Sequence, residues 1–436
     1  MWNLHSFYTN RETGLIGQLK LSDEEENKLK ELRQIVRQRI TKVFEEAVLI
    51  AKETIKNNLT ISAINLKLSG TFVRHLSPED QIIVAELISE MELDTLQEFI
   101  QLKPRFMTQG SFQYKTLNKP FHSGQEMDID DGTYLPMPIF ESKPKIGHQL
   151  LTLLVDTALK SLANENYGWK FEAKRTCGRI RIKSERTHID VPMYAIPKEQ
   201  FAQKEVASMA SMNSSRKMFE SVSDSSATRD EELYQRLDST CVNLALRDDK
   251  PGSPKWMNSD PKVVEDWFLG ECRRIGFHLR DICRFMKAWR DAQWDLGGPS
   301  SICLMAATVE VLHKKAHDSS DIASVVKVVA ESLPYEFRKG VESPDDTDER
   351  PLFPPEAEHK DRERDIIRKL EGFSTLLSQA EKAETKVSAL SILSEVFGDR
   401  VKDQSLIKAK AAASVFKSEP TKANSPAKIS TTMVSG

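Results

Sequence analysis

Early in the chain, Leu29, Leu32, Val36, Ile40, Val43, Ala47 and Ile50 recur at helical spacing and form one apolar stripe. Just before them, Ser22, Asp23, Glu24 and Glu25 have the form of a capping box, with Ser22 as N-cap and Glu25 at the third helical position. A long amphipathic helix is predicted. Its other faces carry Arg33, Arg37, Arg39 and Lys42, which read as a solvated face and as a candidate seat for an anionic ligand. A second helix is predicted over 78–100 and a third over 148–164. The pattern then changes period. Met127, Asp128, Ile129 and Asp130 alternate apolar and polar, as on a strand with one face in the core. Residues 178–183 alternate strictly, 184–186 supply a turn, and 187–193 return, so this stretch is predicted to be a hairpin. Its arginines Arg179 and Arg181 share one face, and Ile180 and Ile182 the other.

From Asp260 the pattern becomes helical. Asp260 and Pro261 supply an N-cap and a first-turn proline, and an amphipathic run continues through Trp294. Gly297, Gly298 and Pro299 break it. Further helices are predicted over 302–316, 321–333 and 361–397. Residues 199–240 are rich in Ser, Met and charge without periodicity and read as an insertion. With strands confined to the first half, the predicted fold class is α+β: a lobe with a mixed β-sheet, then an all-helical lobe, with a cleft between them. The division read from the chain is 1–245, 246–402 and a mobile basic tail over 403–436.

Composition narrows the class. With 436 residues, 39% hydrophobic and 29% charged, the chain suits a globular protein of two packed parts. A net charge of −3 gives no whole-protein basic field for duplex nucleic acid. No segment approaches the ~18 uninterrupted apolar residues of a membrane span, and the first residues lack a secretory pattern. The five cysteines form no C-x-x-C pair and read as reduced thiols. A cytoplasmic protein is expected.

The candidate chemistry lies at Asp128 and Asp130, which share a strand face. Two carboxylates so placed repel unless a cation lies between them, and oxygen-only ligands suit Mg²⁺. Upstream, Gly110 and Ser111 form a tight turn whose amides and hydroxyl are suited to a phosphate. Asp190, set between Ile189 and Val191, repeats the polar-among-apolar pattern and supplies a third carboxylate. Two Mg²⁺ ions on Asp128, Asp130 and Asp190 would serve an in-line displacement at phosphorus, with pyrophosphate leaving. His188 shares the strand face of Asp190 and reads as a hydrogen-bonding neighbour. His317, Asp318 and Ser319 have triad residue types, but contiguous residues cannot form a relay.

These motifs also carry a resemblance. G-S-F-Q-Y at 110–114, E-M-D-I-D-D-G-T-Y at 126–134 and H-I-D-V-P-M-Y at 188–194 are similar to those of the polymerase-β-like nucleotidyltransferases. With P-M-P-I-F-E-S, G-W-K-F-E-A-K, C-G-R-I, W-M-N-S-D-P, R-F-M-K-A-W-R-D-A-Q-W and G-G-P-S-S-I, the chain resembles the cyclic GMP-AMP synthases of the CD-NTase family from end to end. The resemblance implies that ATP and GTP are joined into 3′,3′-cyclic GMP-AMP, a second messenger of anti-phage defence. It implies nucleotide contacts from Gln109, Gly110, Ser111, Tyr114 and Arg179, and from Ser259, Lys287, Ser301 and Asp348 in the helical lobe. It also implies conjugation machinery acting on the C-terminal Gly436. The alternative from the same residues is a linear nucleotidyltransferase acting on RNA or a small hydroxyl acceptor.

Overall fold

The computed structural model describes residues 1–140, 143–144, 147–199, 241–247, 256–345, 351–354 and 360–410. All of the insertion expected over 199–240 except Glu199, together with Asp348 and the last residues from 411 onward, including Gly436, lies outside them. The strands, in chain order, are β1 (Trp2–Asn3), β2 (Arg105–Gln109), β3 (Met127–Met137), β4 (Ile139–Phe140), β5 (Lys143–Pro144), β6 (Trp169–Ala173), β7 (Cys177–Ile182), β8 (Thr187–Pro197), β9 (Asn243–Ala245), β10 (Trp256–Asn258) and β11 (Lys408–Ala409).

Seven of these strands form one mixed sheet. β3 lies at its centre, antiparallel to β2 and parallel to β8. The other edge of β8 carries β7 along Thr187 to Pro192 and β9 at Tyr194 and Ala195. Side-chain alternation gives the sheet two unlike faces. Ile129, Leu135, Ile180, Ile182, Ile189 and Val191 point into a core shared with the long helix Asp23–Asn57 and with the helix His148–Glu165. The residues between them point the other way, toward the helical lobe.

The long helix begins on the expected capping box: Ser22 accepts from the Glu25 amide, and the Glu25 carboxylate accepts from the Ser22 amide at 2.7 Å. Its basic residues depart from the solvated reading. Arg37 pairs with Asp131 on the core-facing side of β3, and both Arg33 and Arg37 donate to the Thr108 hydroxyl. Arg39 donates to Ser161 and Glu165 and lies 4.2 Å from the ring of Phe72. Three of the four cations therefore fasten the helix to the sheet and to its neighbouring helix. Asp131 is 1% exposed, so removing it would take the facing carboxylate away from the Arg37 guanidinium in a mostly buried site. Asp131→Ala is expected to lower the unfolding free energy by about 3 kcal/mol or more, read from the midpoint of a urea titration at unchanged slope.

Several predicted helices are shorter than expected. The 78–100 run divides into Pro78–Ser89 and Leu93–Gln101. The run from Asp260 to Trp294 divides into Pro261–Ile275 and His278–Gln293 at Gly276, whose φ of +122° ends the first helix. The 361–397 run divides into Lys360–Lys382 and Lys386–Phe397, where Thr385 caps the second helix. In contrast, the helix expected over 321–333 continues as Ile322–Lys339 through Pro334. Strands are not confined to the first half, because β9 and β10 extend the sheet and β11 pairs with β1. The helical lobe has its own core, which also takes in Leu4, Phe7, Tyr8, Leu15, Ile16 and Leu19 from the start of the chain. Tyr8 packs against Phe285, with ring centroids 5.2 Å apart.

Candidate active site

The sheet registers assemble the site. Asp128 and Asp130 alternate with Ile129 on β3, and so project together from the face turned away from the core. The parallel pairing with β8 sets His188 beside Asp128 and Asp190 beside Asp130. The antiparallel pairing of β7 with β8 sets Arg179 opposite Asp190 and Arg181 opposite His188. From β2, Gln109 lies opposite Asp130. Residues 60 positions apart in sequence thus become lateral neighbours on one sheet face.

Two of the three carboxylates have a cationic or imidazole partner. Arg179 makes a bidentate pair with Asp190, Nε to Oδ1 at 2.6 Å and Nη2 to Oδ2 at 2.8 Å. His188 bridges two carboxylates: Nε2 lies 3.0 Å from Asp128 Oδ1, and Nδ1 lies 3.0 Å from Glu126 Oε2. Among the described residues Asp130 has no such partner. Burial, and then the neighbouring charges of Asp128 and Asp190, push its carboxyl up to about 8. A bound cation would reverse that balance. Ligand atoms of Asp128, His188 and Asp190 lie within 4.8 Å of one another, close enough to share one ion. The donors are mainly carboxylate oxygens, which fit a hard divalent cation such as Mg²⁺.

The turn after β2 closes one side. Gly110 has φ +65° and opens the short helix Gly110–Gln113. A Cβ at this position would lie 2.0 Å from Asp130 Oδ2, so the backbone passes directly against a candidate ligand. Ser111 and Tyr114 follow. Burial drives the Tyr114 hydroxyl upward, so it stays protonated. Gln109 turns beneath the site instead: its Nε2 donates to the Tyr134 hydroxyl at 2.6 Å, and the Tyr194 hydroxyl donates to its Oε1 at 3.3 Å.

The cleft between the lobes is a cavity of about 680 Å³. Gly110, Ser111, Tyr114, Asp128, Asp130 and Arg179 line its sheet side, and Lys287 and Ser301 lie on the helical side. Lys287 is 4% exposed and donates to the Thr116 carbonyl at 2.8 Å. Burial first, then the nearby Arg290, pushes its ammonium down to about 7. Ser301 accepts from Arg290 at 2.9 Å and follows the N-cap Ser300. Ser259 is not among the lining residues; its amide donates to the Val242 carbonyl at 3.1 Å. Asp190 lies behind Arg179, also outside the lining. Glu126, Arg290 and Asp291 reach the cavity without having been singled out from sequence, and so does Arg181, which the sequence placed only on the hairpin's polar face. For Glu126 the signal was present, because the two-residue alternation through Asp128 and Asp130 extends one step back to it. Asp318 accepts from Ser320, and His317 Nδ1 donates to the Lys315 carbonyl at 3.0 Å, so these residues form no relay at 317–319.

Two family models match the chain. One, described as "Cyclic GMP-AMP synthase DncV-like, nucleotidyltransferase domain", covers residues 104–194, and the other, "Cyclic GMP-AMP synthase, C-terminal domain", covers 276–410. The cyclic GMP-AMP synthase of Vibrio cholerae serotype O1 is 59% identical over 436 residues, covering 100% of this chain and 99% of the relative. That of Escherichia coli strain TW11681 is 54% identical over the full length of both. Among solved structures, the V. cholerae di-nucleotide cyclase DncV in complex with GTP and 5MTHFGLU2 superposes with a TM-score of 0.85 at 57% identity, over 94% of this chain and 99% of that one. The V. cholerae enzyme in complex with the linear intermediate 5′ pppA(3′,5′)pG gives the same TM-score, identity and coverage.

Proposed function

The chain belongs to the DncV-like cyclic GMP-AMP synthases, and from that premise we propose that it joins ATP and GTP into 3′,3′-cyclic GMP-AMP with release of two pyrophosphates. The observation that carries this reading is the parallel register of β3 and β8. It sets Asp128, Asp130 and Asp190 side by side on one sheet face, and Asp128 and Asp130 line a cleft large enough for nucleotides. Asp128, Asp130 and Asp190 would hold two Mg²⁺ ions, with His188 beside them. When bound, such ions would supply charge neutralisation for the triphosphate and for the attacking and leaving oxygens at the α-phosphorus.

The chain's own residues do the rest. Gly110 and Ser111 offer a bare backbone and a hydroxyl to the β- and γ-phosphates. Arg179, fixed by Asp190, presents a planar guanidinium toward the phosphates. Lys287 and Ser301 approach from the helical side, and Tyr114 offers an aromatic wall with a protonated hydroxyl. Ser259 and Asp348 are proposed as base contacts, and Gln109 supports the floor through Tyr134 and Tyr194. No protein nucleophile is needed, because the acceptor is a ribose hydroxyl of the substrate. A second transfer on the linear intermediate closes the ring.

The same reading divides the chain into a nucleotidyltransferase part, 1–245, a helical part, 246–402, and a basic tail, 403–436. It places the enzyme in the cytoplasm as a second-messenger source in anti-phage defence, consistent with the absence of any helix long and apolar enough to cross a membrane among the described residues. An anionic small-molecule regulator and conjugation through Gly436 complete the proposal. The stoichiometry tests it. Two pyrophosphates per finished product are expected when pyrophosphate and dinucleotide are quantified from one reaction, whereas one per product, with an open triphosphate end, contradicts cyclisation.

A further inference from the structure

Behind the Gly110–Gln113 turn the chain crosses to the helical lobe through Lys115, Thr116, Leu117 and Asn118. This strap is held by one helix, His278–Gln293. Arg284, 7% exposed, donates from Nε to the Lys115 carbonyl at 3.1 Å, and from Nη1 to the Leu117 carbonyl and to Asn118 Oδ1. Asn118 returns a bond from Nδ2 to the Arg284 carbonyl at 2.9 Å. Lys287, one turn further along, takes the Thr116 carbonyl between them. Three consecutive carbonyls of the strap are thus bound by two side chains of one helix face.

The strap is also tied to the turn. The Thr116 amide donates to the Ser111 carbonyl at 2.9 Å, and the Lys115 amide donates to the Phe112 carbonyl at 3.3 Å. Lys115 has φ +60°, a left-handed conformation that costs a residue with a Cβ roughly 1–2 kcal/mol and persists only where neighbours hold it. Its carbonyl is the one that Arg284 Nε grips. A planar fork can satisfy carbonyls two residues apart, whereas an ammonium supplies a single point of charge.

We propose that Arg284 and Asn118 are positioning residues for the nucleotide triphosphate, acting through the strap to fix the backbone of Ser111 against Asp128 and Asp130. Arg284 does not line the active-site cleft; it lies behind it, in a separate cavity of about 380 Å³ with Lys20, Glu26, Phe112 and Phe277. Its effect on ligand is therefore indirect. Lys287 and Asn118 differ in that they line the cleft as well as holding the strap. The inference rests on reading the cleft as a triphosphate site.

The test is calorimetric titration, with Mg²⁺ present, of a non-hydrolysable GTP analogue and of guanosine into the full chain. The wild-type protein is expected to prefer the triphosphate. Arg284→Met should weaken the analogue about tenfold or more, as expected for losing buried hydrogen bonds that hold the phosphate-binding backbone, while guanosine affinity stays unchanged. Arg284→Lys should fall between the two. Asn118→Ala, which keeps the guanidinium, should shift the analogue in the same direction and serves as the comparison if Arg284→Met unfolds. Equal affinity of wild type and both variants for the analogue would overturn the inference, as would a parallel loss for guanosine. A wild-type protein that binds guanosine and the triphosphate alike overturns the reading of the cleft, and the inference with it.

Discussion

Replacing Asp128 and Asp130 together by alanine is expected to abolish product formation, a loss of at least about a thousandfold, or roughly 4 kcal/mol of transition-state stabilisation. The reasoning is electrostatic. Both carboxylates project from one strand face into the cleft, and among the described residues Asp130 has neither an arginine nor a histidine of its own, unlike Asp190 and Asp128. Burial and like-charge repulsion together penalise its ionised form in the absence of a cation. Such an arrangement is costly to the fold and useful to a metal. Stability should therefore move opposite to activity: the double variant should melt at the same temperature as the wild type or higher when no divalent ion is present. Mg²⁺ should raise the melting temperature of the wild type and leave that of the variant unchanged. A variant that loses activity and also melts well below the wild type would point to a structural role instead.

Gly110→Ala is expected to lower synthesis by about a hundredfold or more, through the displacement of a single carboxylate. Two effects combine. The backbone there has φ +65°, which costs alanine roughly 1–2 kcal/mol relative to glycine. The added Cβ would also lie 2.0 Å from Asp130 Oδ2, so either the turn or the carboxylate must move. The two contributions separate in a double-mutant cycle of thermal stability. In an Asp130→Ala background the contact with Oδ2 no longer exists, and the destabilisation by Gly110→Ala should shrink to the backbone cost alone. Equal destabilisation in both backgrounds would mean that the turn does not press on Asp130.

The chemistry was more legible in the sequence than the architecture that assembles it. Alternation marked Asp128 and Asp130, Arg179 and Arg181, and Asp190, because a period of two leaves little choice of face once the apolar residues are buried. The capping box at Ser22 was equally plain, since its signal lies within four residues. What joins these pieces is non-local. The pairing of β3 with β8 spans 60 residues, and nothing in either strand states that they run parallel or in which register. The helix faces misled for a related reason. Arg33, Arg37 and Arg39 resemble a solvated stripe until Thr108, Asp131 and Ser161 are brought against them from other elements. Lys287 lies among apolar neighbours on an amphipathic helix, and only the strap explains why it is buried. The short helices His5–Thr9, Leu15–Leu19 and Ile61–Leu68 hold too few turns to show a period. Within the long helical stretches, apolar spacing continues across breaks that depend on backbone conformation, as at Gly276.

The most direct measurement is the identity of the product. Purified protein with Mg²⁺ receives labelled ATP alone, GTP alone and both together, and the products are treated with phosphatase before chromatography and mass spectrometry. A phosphatase-resistant dinucleotide of one adenylate and one guanylate is predicted, formed only when both nucleotides are present. A ladder of linear products, or a label released entirely by phosphatase, would contradict cyclic dinucleotide synthesis and favour a linear nucleotidyltransferase.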